Sequence, residues 1–340
     1  MRNNGFRVSV VIATYNGVTH LAEQLESIAK QDMLPYELII SDDLSDDDTV
    51  RTALEFAGRA PFRVEVRVND IALGYGENFL RASELATGDL IAFCDQDDVW
   101  MPTKLARCVG PFEDPKVMMV VHESILADDS LGPQPRRRLR TGMVSGAVRA
   151  SPMHVPHGSH LLFRRRLLEL LPPGQRPVSG YGHHPRQTHD EWAHFAAVTF
   201  GDVRYIKDEL ILFRRHPDAE SGFFFETPRV GLLKQDMKLL TSRLRAEAAS
   251  ERASVLRVRA KSMPDAADRL LGWARRYDSL AIAESNRASL QEATSFGPSI
   301  KGLARAATQR TYQTQARGGS GWLAFVKDFL QVARRARARS

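Results

Sequence analysis

Apolar positions in the first 122 residues switch between two periods. Val8–Tyr15 ("VSVVIATY") is an unbroken, largely β-branched run and predicts a strand buried on both faces. Leu21, Leu25 and Ile28 then recur at i, i+4 and i+7, which predicts an amphipathic helix over His20–Gln31. Glu37–Asp43 predicts a second strand, and Val50, Leu54 and Ala57 share one face of a helix over Asp48–Gly58. In Phe62–Asn69, Val64, Val66 and Val68 alternate with charged residues, as in a strand near a sheet edge. A helix over Gly76–Thr87, a strand over Asp89–Asp95, a helix opened by Pro102 and a strand over Val117–His122 complete the series. Strand and helix in succession imply right-handed crossovers: an α/β fold with a mostly parallel central sheet flanked by helices.

Periodicity lapses over residues 124–156, which hold Pro133, Pro135 and the run Arg136-Arg137-Arg138-Leu139-Arg140 and read as a mobile loop. A strand over Ser159–Phe163, a short helix over Arg165–Leu171, a loop over 172–188 and a helix over Glu191–Phe200 follow. Val203–Ile206 and Leu210–Arg214 read as two strands. From about Pro228 the pattern is helical to the end, without internal repeats.

Charge changes this picture. Residues 1–228 carry 25 Lys and Arg against 32 Asp and Glu, a balance of −7; residues 229–340 carry 22 against 9, a balance of +13. The acidic part suits cations and their ligands, the basic part anions such as lipid headgroups. In the basic part, Trp322, Phe325, Val326, Phe329, Leu330 and Ala333 form one apolar stripe, flanked by Lys327, Arg334, Arg335, Arg337 and Arg339. Such a helix can lie on an anionic membrane surface or pack on its own domain, and the helical region can also support an oligomer. No nucleic-acid-binding module accompanies the charge, so nucleic acid is not an expected partner. Met1–Arg7 is polar and the apolar run after it is short, so no signal peptide is expected; nor does any stretch reach the ~20 apolar residues of a membrane-spanning helix. Cys94 and Cys108 lie in apolar segments, are too few for a disulfide framework, and suit a reducing, cytoplasmic setting.

Ligands of open α/β sheets bind at the carboxyl ends of the strands. The unusual polar residues fall there: Thr14-Tyr15-Asn16, Asp42-Asp43 and Asp95–Asp98. Asp95 and Asp97 are alternate residues of an extended segment, so both can turn to one ligand. Mg2+ or Mn2+ favours a few carboxylates completed by phosphate oxygens and water. The other reading of this D-x-D is a solvated acidic turn, with Asp98 capping the helix at Pro102. Asp42 can accept from a nucleobase imide, Tyr15 can pack on a base or serve ordinary packing, and Asp46–Asp48 suit the cap of the following helix.

Together "VSVVIATYNG", "ELIISDDLSDDDT", "VNDIALGYGENF" and "GDLIAFCDQDDVWMPTKL" resemble the nucleotide-sugar-binding half of family 2 glycosyltransferases of the GT-A fold. "DQDDVW" followed by Pro102 and Lys104 is similar to the subgroup that includes bacterial rhamnosyltransferases of surface-polysaccharide assembly. The resemblance implies nucleotide contact by Thr14, Tyr15, Asn16 and Asp42, a diphosphate side shaped by Asn69, Gly74 and Asn78, ribose at Asp95 and Mg2+ or Mn2+ at Asp97. It also implies inversion at the sugar carbon by a carboxylate base. "THDEWAHFAA" offers Asp190, with Glu191 as the alternative; a plain helix cap is the other reading of Asp190. "LILFRRHPDAESG" resembles a further block of the subgroup, in which Arg214 would offset phosphate charge and His216 would complete the metal site or serve as a structural hydrogen-bonding residue. Glu220 stands where the subgroup has Asn, and His183 and His184 suit an acceptor loop or plain exposure.

The expected organisation is a GT-A catalytic domain over 1–226, with a nucleotide-sugar half at 1–122 and an acceptor and base half at 155–222, then a basic helical region at 227–340. The expected activity is an inverting glycosyltransferase of the hexosyltransferase type. It would move a sugar, rhamnose being one candidate, from a nucleoside-diphosphate donor to a cell-surface glycan or lipid-linked acceptor. Its expected setting is the cytoplasm, with peripheral attachment to the inner face of the cytoplasmic membrane open. The rivals are a nucleotidyltransferase, against which the absence of a basic Gly-rich loop after the first strand argues, and a non-catalytic binding protein on the same fold.

Overall fold

The unbroken apolar runs become the centre of an eight-stranded sheet. A computed structural model describes residues 5–132, 153, 155–181, 184–216 and 233–292. Strands β1 (Val8–Thr14), β2 (Glu37–Asp42), β3 (Arg63–Val68) and β4 (Leu90–Cys94) run parallel, in the order β3-β2-β1-β4. Helices α1 (Val18–Ala29), α2 (Thr49–Ala57) and α3 (Tyr75–Glu84) make the crossovers. Every residue of β2 and β4 is buried, whereas the alternating β3 lies at the edge and is half exposed. Leu21, Leu25 and Ile28 of α1 enter the same core as Val8, Val10, Ile12 and Cys94. Cys94 and Cys108 are both free and buried.

The second half of the sheet departs from simple alternation. It comprises β5 (Val99–Trp100), β6 (Val117–Ala127), β7 (Leu161–Arg164) and β8 (Asp202–Arg214), with α4 (Lys104–Val109), α5 (Leu167–Leu170) and α6 (His189–Phe200) between them in the chain. The order continues from β4 as β7-β6-β8-β5. β7 enters antiparallel between β4 and β6, and β5 lies antiparallel on β8, while β6 and β8 are parallel.

Several expectations change here. Residues 124–127 belong to β6, because pairing with β8 holds them extended despite their mixed polarity. The two strands expected over 203–214 are one: Val121 faces Tyr205 and Glu123 faces Glu209, so the polar stretch around Lys207 and Asp208 is taken up as a bulge inside β8. Gly158–His160 forms a 3-10 turn, and β7 starts only at Leu161. The helix after Pro102 is six residues long and starts at Lys104. The remainder of the expected 124–156 loop from 133 to 152, and the apolar stripe from Trp322 to Ala333, lie outside the described residues.

The chain divides into two compact units. The first holds Met1–Val148, Val155–Gly174 and Thr188–Glu226, hence the whole sheet. The second holds Arg149–His154, Gln175–Gln187 and Thr227–Ser340. Its helices α7 (Leu233–Ser262) and α8 (Ala267–Glu292) pack along one another as a hairpin around Leu256, Leu270, Tyr277 and Leu280. The 175–187 loop is tied into this unit. Val178 N donates to Glu251 Oε2 at 2.7 Å, and the Tyr181 hydroxyl donates to the Met153 carbonyl at 2.6 Å. Among the described residues, no helix is long and apolar enough to cross a membrane.

Candidate active site

The carboxyl ends of β1, β2 and β4 lie side by side, so the three polar clusters share one edge of the sheet. Thr14 and Asp42 are opposite residues of paired strands, and both are buried. The Thr14 hydroxyl donates to Asp42 Oδ2 at 2.7 Å, and Ser45 donates its hydroxyl to the same oxygen at 2.6 Å and its N–H to Oδ1 at 2.8 Å. Asp42 is therefore a buried carboxylate held by protein donors. Asn16 sits at φ 46°, a left-handed conformation that Asn tolerates. Its N–H donates to Ser45 Oγ, and its Oδ1 accepts from Asp46 N. Tyr15 is 58% exposed at the rim, which leaves its ring open for stacking. Of the three aspartates after Ser45, Asp47 accepts from Thr49 N at 2.9 Å, whereas Asp48 pairs with Arg51.

Asn69 and Gly74 converge on Asp43, and Asn78 joins them through Asn69. The Asp43 carboxylate accepts from Leu73 N and Gly74 N, both at 2.7 Å, and from Asn69 Nδ2 at 2.9 Å. Asn69 Nδ2 also donates to Asn78 Oδ1, and Asn78 Nδ2 donates to the Ser41 carbonyl at 2.8 Å. Gly74, at φ 77°, needs its freedom from a Cβ to make this turn. These residues shape the loop into α3 through one another, and Asn78 is itself buried.

Past β4, the aspartates have separate environments. Burial pushes Asp95 up to about 7, with the Asp97 and Asp190 carboxylates adding to the rise and Ser159 and Lys104 opposing it. Asp98 is fully buried, and its Oδ1 accepts from Arg214 N at 3.1 Å. Burial first, then Asp97 and Asp95, raise its pKa well above the carboxylate range. It does not cap α4. Asp97 Oδ2 lies 2.8 Å from His216 Nε2. Beneath the cluster sits Lys104, buried, its Nζ donating to the Ser159 carbonyl at 2.7 Å and lying 3.8 Å from the centre of the Trp100 ring. Burial lowers its pKa to about 8, against the pull of Cys94, Cys108, Asp98 and Asp95.

Arg214 does not stand open to a phosphate. It is 3% exposed, and its guanidinium donates to the carbonyls of Asp97 and Asp129 and to Glu23 Oε2. Every nitrogen of its side chain has a protein partner, so it braces the end of β8 against the Asp97 loop.

Asp190 lies in the first turn of α6. Its Oδ1 accepts from the Thr188 hydroxyl and from Glu191 N at 2.8 Å. Glu191 is buried and reaches back to Thr188 N at 3.2 Å, closing a reciprocal cap of the helix. The two carboxylates thus differ: Glu191 is spent on the helix end, whereas Asp190 is only partly buried and acts electrostatically on Asp95. Gly76 of α3 packs directly on Thr188, where a Cβ would meet the Thr188 backbone at 3.5 Å. His184 is described and half-buried; His183 and Glu220 fall outside the described residues.

Three participants carry no signal of their own in the sequence. Gln96, between Asp95 and Asp97, clasps the Tyr15 backbone: its Oε1 accepts from Tyr15 N and its Nε2 donates to Tyr15 O, both at 3.0 Å. β4 ends at Cys94 and Gln96 and Asp97 lie in a turn, so the strand alternation expected for this segment does not decide where its side chains point. Glu23 is an ordinary surface letter in the sequence that only the fold brings to Arg214, whereas Ser45 reaches Asp42 locally, three residues further along the chain.

Residues 9–171 match glycosyl transferase family 2. The chain is 38% identical over 103 residues to the dTDP-rhamnosyl transferase RfbG of Shigella flexneri, covering 29% of this chain and 35% of that one. It is 33% identical over 100 residues to the UDP-Glc:alpha-D-GlcNAc-diphosphoundecaprenol beta-1,3-glucosyltransferase WfgD of Escherichia coli, covering 29% and 38%. It spans less than two thirds of the length of the curated relatives it matches. Residues 1–349 of S. aureus TarS, crystallised with UDP-GlcNAc, share the fold at TM-score 0.50 and 15% identity, over 91% of this chain and 90% of that one. Residues 9–171, just under half of the chain, are thus similar to glycosyl transferase family 2, and the chain has the GT-A fold.

Proposed function

We propose that the chain is an inverting, metal-dependent glycosyltransferase that takes a sugar from a nucleoside diphosphate. The observation that carries this reading is the Asp97–His216 pair beside Asp95, with Asp190 acting on the same carboxylate cluster from α6. One carboxylate and one imidazole nitrogen suit Mn2+ and, less closely, Mg2+, with the donor diphosphate and water completing the shell. Among the described residues no three ligating side chains gather at one point. When bound, such a cation would neutralise the departing diphosphate.

In this reading Tyr15 stacks on the nucleobase, while Thr14, Asn16 and Asp42 form the floor beneath it. Asp95 faces the ribose. Asn69, Gly74 and Asn78 hold the loop on the diphosphate side, and Arg214 acts as a brace. Asp190 is the base: Thr188 and Glu191 N fix Oδ1 and so orient the carboxylate, and Oδ2 takes the proton of the acceptor hydroxyl. The hydroxyl oxygen attacks the anomeric carbon from the face opposite the diphosphate, which leaves with the bonding electrons, so the configuration inverts. Glu191 is not required for the proton.

Residues 1–226 are the proposed catalytic part, with 1–122 for the donor and 155–222 for acceptor and base, and 227–340 the basic helical part. Similarity to RfbG favours a deoxyhexose such as rhamnose, and similarity to WfgD favours a lipid-linked acceptor. The C-terminal stripe would then attach the chain to the inner face of the cytoplasmic membrane. The test is Asp190→Asn. It should abolish transfer while nucleotide binding and the unfolding midpoint stay as in the wild type. Retained transfer would remove Asp190 from the reaction.

A further inference from the structure

Three elements meet at the acidic end of β4, and one of them brings residues that the reaction scheme leaves unused. Helix α1 presents His20 and Glu23, one turn apart on the same face. Glu23 takes Arg214, whose Nε holds the Asp97 carbonyl at 2.7 Å. His20 reaches the other side of the same junction. Its ring centroid lies 4.8 Å from that of His216, with the rings tilted by 52°. Its Nε2 lies 3.3 Å from Asp129 Oδ1. Both imidazoles are nearly enclosed, with side chains 13% and 12% exposed. The His216 ring is therefore bounded by Asp97 on one side and by the His20 ring on another.

That boundary has a consequence for the cation. The terminal torsion of a histidine is broad, so an imidazole without neighbours turns easily. A packed ring removes this freedom. Hydrogen-bonding groups that orient a metal-ligating histidine typically account for 10–100-fold in metal affinity, and a packed ring can fix the same orientation by contact. We propose that His20 is a positioning residue for the cation site: its ring, held by Asp129, fixes the plane of His216 and keeps Nε2 at the Asp97 carboxylate. This rests on the reading of Asp97 and His216 as the cation-binding pair. Nothing in the periodicity of α1 separates His20 from a solvent-facing residue.

The experiment is a Mn2+ titration of the full chain in the presence of UDP, following the free-ion signal by electron paramagnetic resonance. Wild type, His216→Ala, His20→Ala and His20→Phe are compared, each with its unfolding midpoint. The expected result is that His216→Ala and His20→Ala each weaken Mn2+ binding about 10-fold or more. His20→Phe, which keeps a ring of similar size, should stay within about threefold of the wild type. If His20→Ala does not fold, His20→Asn replaces it, and the same weakening is expected because the ring is gone. Unchanged affinity in the ring-less variant, or a phenylalanine variant as weak as it, overturns the positioning role and leaves the cation site standing. Unchanged affinity in His216→Ala, or no binding by the wild type, removes the cation reading and this proposal with it.

Discussion

Asp95 shows how a single residue's surroundings set its chemistry. Its carboxyl has an ordinary pKa near 3.9 when unfolded and is pushed up to about 7 in the folded chain, mainly by burial. Between about pH 4 and pH 7 the folded state keeps a proton that the unfolded chain has released. Stability therefore falls as pH rises through this window, and the loss is complete above the folded value. Asp95→Asn carries no charge at any pH. The variant should be more stable than the wild type at pH 7.5, by at most about 4 kcal/mol, and lose that advantage at pH 4. Thermal unfolding at the two pH values checks it, and an equal shift at both would place the cost elsewhere. The D-x-D spacing suggested an extended segment, but β4 ends at Cys94 and Gln96 and Asp97 lie in a turn, from which Asp97 still acts electrostatically on Asp95. It could not show that Arg214 is consumed by carbonyls and Glu23, since those partners come from 85 to 191 positions away.

At the scale of elements, the ends of β1 and β4 are locked together through Gln96, and Gly17 is what lets that lock close. Gly17 has φ −104°, which any residue can adopt, so a substitution meets no backbone strain. A Cβ there would fall 2.2 Å from Gln96 Oε1. Gly17→Ala should push the end of the flexible Gln96 side chain aside, cost about 1 kcal/mol through its hydrogen bonds to the Tyr15 backbone, and weaken nucleotide binding. In a Gln96→Ala background most of that cost should vanish, and a double-mutant cycle of chemical unfolding measures the coupling. Full additivity would contradict the lock. At α6, Glu191→Ala should lower stability by about 1 kcal/mol through loss of the reciprocal cap, with transfer retained. Continuous buried strands and amphipathic helices were legible because each rests on a local period. The bulge in β8, the two-residue β5 and the insertion of β7 beside β4 were not, because pairing with distant strands decides them.

Across the whole molecule the acidic and basic parts of the sequence meet near residue 228, and Thr227 also opens the last segment of the second unit. The sequence shows the charge reversal plainly. It does not show that the 175–187 loop is tied to the C-terminal hairpin, because Val178 and Glu251 are 73 positions apart. If the basic region carries the chain to membranes, the full chain should sediment with anionic vesicles and a chain ending before Gly319 should not. Equal sedimentation would end the anchor reading.

In the proposed function, a cation held at Asp97 and His216 joins a nucleotide-sugar to this edge of the sheet. A thermal-shift titration with UDP-, dTDP- and GDP-sugars, with and without Mn2+, tests it most directly. A ligand at 100 times its Kd stabilises the folded state by about 2.7 kcal/mol, a readily measured rise in the unfolding midpoint. Such a rise is expected with at least one donor, dependent on Mn2+, lost in Asp97→Asn and kept in Asp190→Asn. No rise with any donor, or a rise that survives both removal of Mn2+ and Asp97→Asn, would contradict it.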